Sequence, residues 1–303
     1  MDISTILARI VSACSIPIPS AIDLFLKWRK QLRENHPPQL SEENKSNEPE
    51  LISVGSVDDA RVQVSRRLYK ILALLNQNRY GEITISELAE FCGYKKTSDL
   101  EKYFQGLEEP TNKEKEKICS YLGVNPQWFK HGKEEPFTTQ ESSKASAEDY
   151  LEIIKNKSPK KIIFVRSRGE AGRACIVLKL NEFKYIYLPS NWNISGHVGQ
   201  GGQKEIYSLY KLVITLQDSV VIGYQFQTIN IKGNHINKKD FDDLVSGRIY
   251  PGSIVEPYND YWWDDLTDID HIWSYAPSYE GNFGTGFIEA QEIIKDIKSR
   301  SQG

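Results

Sequence analysis

The sequence predicts a multidomain chain, with an all-α N-terminal hairpin and a bundle of short helices followed by an α+β domain built on an antiparallel sheet. Three observations carry this. Apolar residues recur at helical spacing through the first 137 positions, two polar stretches interrupt the chain at 36–60 and 138–149, and period-two alternation begins after Pro159. A chain of 303 residues has room for more than one folded unit.

Residues 1–35 read as two helices bent at Pro17 and Pro19, with stripes of Ile3, Ile6, Leu7, Ile10, Val11 and Cys14, then Ala21, Leu24, Phe25, Trp28 and Leu32. Neither helix hides its stripe alone, so packing within the chain or self-association, the latter making it a homo-oligomer, is expected here, with a partner protein as the alternative. The polar faces carry too few cations for a membrane surface. The linker 36–60 is rich in Pro, Ser, Asn and Glu, and 138–149 (TTQESSKASAED) is similarly polar. Ser146 and Asp149 then have the spacing that opens a helix.

Between residues 61 and 137, helix starts are dense. Thr84 with Glu87, Ser98 with Glu101 and Thr111 with Glu114 each have capping-box spacing, and ARVQVSRRLYKILALLNQN forms a longer amphipathic helix ahead of them. A short helix burying Leu88, Ala89 and Cys92, a turn at Gly93, and a second helix burying Leu100, Tyr103 and Phe104 make a helix-turn-helix arrangement.

"ISELAEFCGY" followed by "YFQGLEEPTNKEKEKICSYLGVNPQWFKHGKEEPF" resembles the lambda-repressor-like (Xre and CI type) helix-turn-helix domains. Leu88-Ala89, Gly93, Gly106, Pro110, the run Leu122-Gly123-Val124, Trp128 and Gly132 stand where that family has its markers; Ile85 departs from the glutamine often found there. The resemblance covers about a quarter of the chain. It implies that the helix opening near Ser98 enters a major groove of double-stranded DNA. Lys95, Lys96, Thr97, Ser98, Asp99 and Lys102 would then lie nearest the bases and phosphates, with Arg66, Arg67 and Lys70 as further phosphate anchors. The expected function is a sequence-specific, repressor-like transcriptional regulator of bacterial or prophage type. The alternative is a non-enzymatic subunit of a toxin-antitoxin or phage-defence assembly that uses the bundle for docking.

Charge limits the mode of binding. The formal net charge is -3, and residues 61–137 hold thirteen Lys/Arg against eleven Asp/Glu, far from the basic excess of a non-specific binder. Four scattered cysteines with no C-x-x-C pair suggest reduced thiols in a cytoplasmic protein, and no apolar run approaches the roughly 18 residues of a membrane span.

In residues 150–303 the strands expected are KKIIFVRS, ACIVLKL and KYIYLP, then a long pair, YSLYKLVITL and VVIGYQFQTINI, around the turn QDS; FDDLVSG and FIEAQEIIKDIKSR are expected helices. This domain is expected to sense a signal or direct assembly. RIYPGSIVEP loosely echoes a strand of self-cleaving repressors, but no Ser/Lys pair accompanies it. Asp264, Asp265, Asp268, Asp270 and His271 are the candidate metal ligands of a nuclease-like effector, against a solvated acidic loop anchored by Trp262, Trp263 and Trp273. GHVGQGGQK lacks P-loop spacing and reads as a loop, and Arg166, Arg168 and Arg173 as an exposed turn. No cofactor and no catalytic residue is implied.

Overall fold

A computed structural model describes residues 59–79, 81–139, 141–221, 230–257, 259–271 and 276–302. The expected hairpin at 1–35 and nearly all of the linker 36–60 lie outside the described residues. Every described residue belongs to one compact unit, Gly55–Gly303.

Five helices come first: α1 (Ala60–Asn76), α2 (Ile85–Phe91), α3 (Thr97–Phe104), α4 (Asn112–Leu122) and α5 (Pro126–His131). Local chemistry sets their ends. Asp59 caps α1 by accepting from the Arg61 N–H, and Thr84/Glu87 and Thr111/Glu114 form complete capping boxes on α2 and α4. Asn125 caps α5 with Pro126 in its first turn, and Gly123 and Gly132 end α4 and α5 in the left-handed region. The predicted Ser98/Glu101 box does not form. The helix starts two residues earlier than that box requires, at Thr97, after an N-cap Lys96 that supplies no side-chain bond. The Thr97 hydroxyl instead shares a 3.0 Å hydrogen bond with Ser86 on α2, which ties the start of α3 to the preceding helix.

After α6 (Ala147–Lys157), capped by Ser146, come β1 (Lys161–Ser167), β2 (Ala174–Lys179) and β3 (Tyr185–Leu188). The chain then forms α7 (Gln200–Val221), β4 (Asn230–Ile236), α8 (Lys238–Ser246), α9 (Pro251–Val255), α10 (Trp262–Asp265), α11 (Ala276–Phe283) and α12 (Thr285–Gln302). The architecture is a mixed α+β one.

The sheet runs β3-β2-β1-β4 and is mixed rather than antiparallel: β2 pairs antiparallel with β1 and β3, whereas β4 lies parallel to β1. Two expectations fail with it. YSLYKLVITL is helical, part of α7, and GHVGQGGQK runs into the start of that helix at Gln200 instead of forming a loop. Ile206, Leu209, Leu212, Val213 and Leu216 are fully buried at helical spacing, so packing of one stripe overrides the strand preference of the β-branched residues. PGSIV is the helix α9, not a strand. The described helices of this half include the expected α8 and α12.

Both faces of the sheet are dry. Ile163 and Val165 of β1 join Cys175, Val177, Tyr185 and Tyr187 in one core shared with α1 to α5, α8 and α9. Ile162 and Phe164 join Ile176, Leu178, α6, α7 and α12 in the other. Trp262 closes the β1–β4 junction, its indole N–H donating to the Phe164 and Asn234 carbonyls at 3.2 and 3.1 Å.

One carboxylate ties three strands together. Glu256, just after α9, accepts from Lys161 on β1 (2.8 Å), Lys179 on β2 (2.8 Å) and the Tyr185 hydroxyl on β3 (2.5 Å). Burial alone would raise its pKa, but these three donors outweigh burial and hold it at about 2. A depressed folded-state pKa adds stability that is present above the ordinary glutamate value and lost as pH falls through the folded one. Glu256→Gln is therefore expected to cost about 2–3 kcal/mol at neutral pH. The gap to the parent protein should close as pH falls from 4.5 towards 2, as read by urea denaturation across that range.

Candidate nucleic-acid interface

The α2–turn–α3 unit is held from below by side chains of α1 and α4. Cys92 ends α2, and Gly93 at φ +67° lets the chain reverse, its N–H donating to the Glu90 carbonyl at 2.9 Å. Lys117 of α4 then braces the turn: its ammonium donates to the Gly93 carbonyl at 3.0 Å and sits 4.7 Å over the Tyr94 ring. On α3, Leu100, Tyr103 and Phe104 are buried. The Tyr103 hydroxyl donates to Glu114 at 2.6 Å, and the Ser65 hydroxyl of α1 donates to the Phe104 carbonyl. Cys92 beneath the turn is a buried thiol whose pKa burial pushes up to about 12, which makes it an unreactive packing group. Cys119 and Cys175 are likewise free and buried.

The nine residues expected to touch DNA fall into three sets. Lys95, Lys96 and Ser98 are exposed in one run at the start of α3, with Thr97 and Asp99 half-exposed among them. Lys102 is already paired, 2.8 Å from Glu108 and 5.0 Å over the Tyr103 ring. On α1, Arg66 is exposed, while its two neighbours in the prediction are engaged with α5. Arg67 donates to the Phe129 and Lys130 carbonyls at 3.0 and 3.2 Å, capping the C-terminal end of that helix, and burial lowers its pKa. Lys70 lies 5.6 Å over the Trp128 ring. Sequence reading missed Lys117 and Glu108, and it gave Glu114 its capping role but not its bond to Tyr103. All three act across turns or between helices, and only their helical spacing hinted at an inward face.

The acidic aromatic segment is built differently from the metal cluster considered for it. Trp262 and Trp263 are buried in α10, and Trp273 lies outside the described residues. Asp264 accepts from Gln217 at 2.6 Å and burial raises its pKa; Asp268 accepts from Tyr279 at 2.9 Å. Gln291 donates to the backbone carbonyls of Asp265 and Asp268. Asp270 faces Lys295 at 4.0 Å, and His271 packs against Tyr279 at φ +50°. Among the described residues no group of three or more His, Cys, Asp or Glu is placed to hold a metal ion.

Of the arginine turn, Arg168 and Arg173 are exposed as expected, but Arg166 is not. Arg166 is 3% exposed, its guanidinium bonded to His235 Nε2 at 3.0 Å and to the Phe283 carbonyl at 2.9 Å, and burial lowers its pKa to about 10. Burial, then the nearby arginines, holds His235 at about 3, so the imidazole is neutral at physiological pH. Among the described residues no helix is long and apolar enough to cross a membrane. Comparison with protein-family models, curated proteins and solved structures returned no match.

The assignment of Arg67 to the fold and of Arg66 to the surface separates the two by stability. Arg67→Ala is expected to lower the unfolding free energy by about 1–2 kcal/mol through the lost α5 cap. Arg66→Ala should change it by less than about 0.5 kcal/mol in the same denaturation experiment.

Proposed function

We propose that this chain is a sequence-specific DNA-binding transcriptional regulator of bacterial or prophage type. In this reading α3 is presented to the major groove of a duplex. The observation that carries the reading is the free run Lys95, Lys96 and Ser98 at the start of a helix fixed by Lys117, Ser65 and Glu114. Lysine ammoniums suit phosphates and guanine edges, and the Ser98 hydroxyl suits either base edge or backbone. Asp99 and Glu101 oppose phosphate and are useful only where a cytosine amino group meets them, so recognition is selective rather than general. The residues of the acidic segment are used in packing and hydrogen bonding, and the proposal assigns them no catalysis.

One observation favours a second reading, docking to a protein. Leu107, just beyond α3, is 66% exposed beside the Lys102–Glu108 pair, an apolar point in a charge-neutral surround.

A gel shift on the chain's own promoter region with full-length protein distinguishes the two. Under the first reading Lys95→Glu/Lys96→Glu weakens binding tenfold or more, and the parent affinity falls steeply with salt, by roughly 0.9 log units per log unit for each phosphate contacted. Lys102→Ala should weaken binding less than the double variant, because Glu108 already neutralises that charge. Binding unchanged by the double variant would sink this reading. Indifference to DNA at every salt concentration, with a partner complex lost in Leu107→Asp, would establish the second.

A further inference from the structure

Where the helical bundle meets the sheet, a cleft of about 310 Å³ opens between α4, the α4–α5 turn, residues 137–139, the end of α6 and β3. Its size is that of a small-molecule site. Four formal charges line it, and three are answered. Glu116 pairs with Lys130 at 2.9 Å, and Lys157 with Glu141 at 3.0 Å. Lys184 of the β2–β3 connection has no ion pair among the described residues.

That lysine is not a freely waving surface group. Its stem passes Gly123, where a Cβ would fall 3.3 Å from Lys184 Cγ and 3.1 Å from the Tyr185 carbonyl, so the α4–α5 turn fixes the path of the side chain. Burial, then the Lys157 charge, lowers its pKa, the signature of an ammonium that has lost water without gaining a counterion. Val124 and Tyr187 are buried in the wall beside it. A half-desolvated, unanswered cation above an apolar wall lacks one component, a negative charge attached to an organic body.

We propose that this cleft binds a small organic anion, its carboxylate or phosphate head on Lys184 and its body against Val124 and Tyr187. The ligand would touch the bundle through α4 and its following turn, and the sheet through β3, and so would stabilise the junction of the two. The proposal stands apart from the DNA-reading one, since it needs no nucleic acid and none of the α3 residues.

Full-length protein is titrated with benzoate, phenyl phosphate and inorganic phosphate, by calorimetry and by thermal shift. Saturable binding of benzoate or phenyl phosphate is expected, the tighter of the two identifying the head group, with inorganic phosphate weaker because it lacks a body. Lys184→Gln should weaken binding at least tenfold, and Lys184→Arg should stay within about threefold of the parent, because it keeps the charge. Without ligand, Lys184→Gln should melt at or above the parent temperature, since it removes an unpaired, partly desolvated charge. A lower melting temperature in Lys184→Gln, with no loss of affinity, would make the lysine a structural group and overturn the proposal. So would the absence of saturable binding by all three probes to the parent protein.

Discussion

The structure depends on a sheet with no wet face. Along β1, Ile162 and Phe164 point into one core and Ile163 and Val165 into the other, and all four are fully buried. At roughly 1.5–3 kcal/mol for each such side chain, this one strand anchors both layers of helices. The bundle is thereby part of the sheet's own core rather than a unit hung on a tether. Phe91 of α2 meets Phe183 of the β2–β3 connection edge-on at 4.3 Å, and Tyr250 and Tyr185 fill the same core. Glu256 reinforces the arrangement electrostatically, because its three donors come from three strands and its charge is compensated twice over by lysine.

Within that frame the charges of the bundle sort by occupation. Lys102, Lys115 and Lys130 are paired with Glu108, Glu109 and Glu116, Arg79 reaches Glu182, and Lys117 and Arg67 serve backbone carbonyls. A formal count of bases against acids therefore overstates what a polyanion meets. What remains at the start of α3 is a short cationic run flanked by acids, and exposed ion pairs nearby contribute little beyond cancelling each other's field. On the proposed reading such a surface would discriminate through geometry more than it attracts through charge.

Much of the bundle was legible because its signals are local. Thr84, Thr111 and the glycines at 93, 123 and 132 act within a few residues of themselves, so sequence spacing is nearly the geometry. The sheet was legible only in its antiparallel part. β4 carries Lys232, Gly233, Asn234 and His235, with no alternation to mark it, and its parallel pairing with β1 joins segments about 70 residues apart. The β-branched run of α7 has the composition of a strand, but its apolar positions repeat at helical intervals, and the period decides. KIIFVRS held a further clue, since an unbroken apolar run signals a strand covered on both faces, which a half-exposed antiparallel sheet does not need. At the candidate interface the lysines were found, but not their engagement, because Glu108 lies six residues from Lys102 and the α5 carbonyls lie 62 and 63 residues from Arg67.

The stretch from Gly93 to Pro110 thus separates shape from recognition. Apart from Thr97, whose hydroxyl bonds to Ser86, the groups that hold α3 in place are Ser65, Lys117, Glu114 and the inward residues Leu100, Tyr103 and Phe104, and none of these belongs to the exposed run. A helix fixed at both ends by bonds from other helices loses little freedom when something docks on it, so its contacts are spent on affinity rather than on ordering. Surface substitutions at positions 95, 96 and 98 change what α3 meets without touching what supports it. On the DNA-reading proposal the acids beside those positions would act in recognition, and the same scaffold can hold a base reader or a protein dock according to the few side chains at its tip.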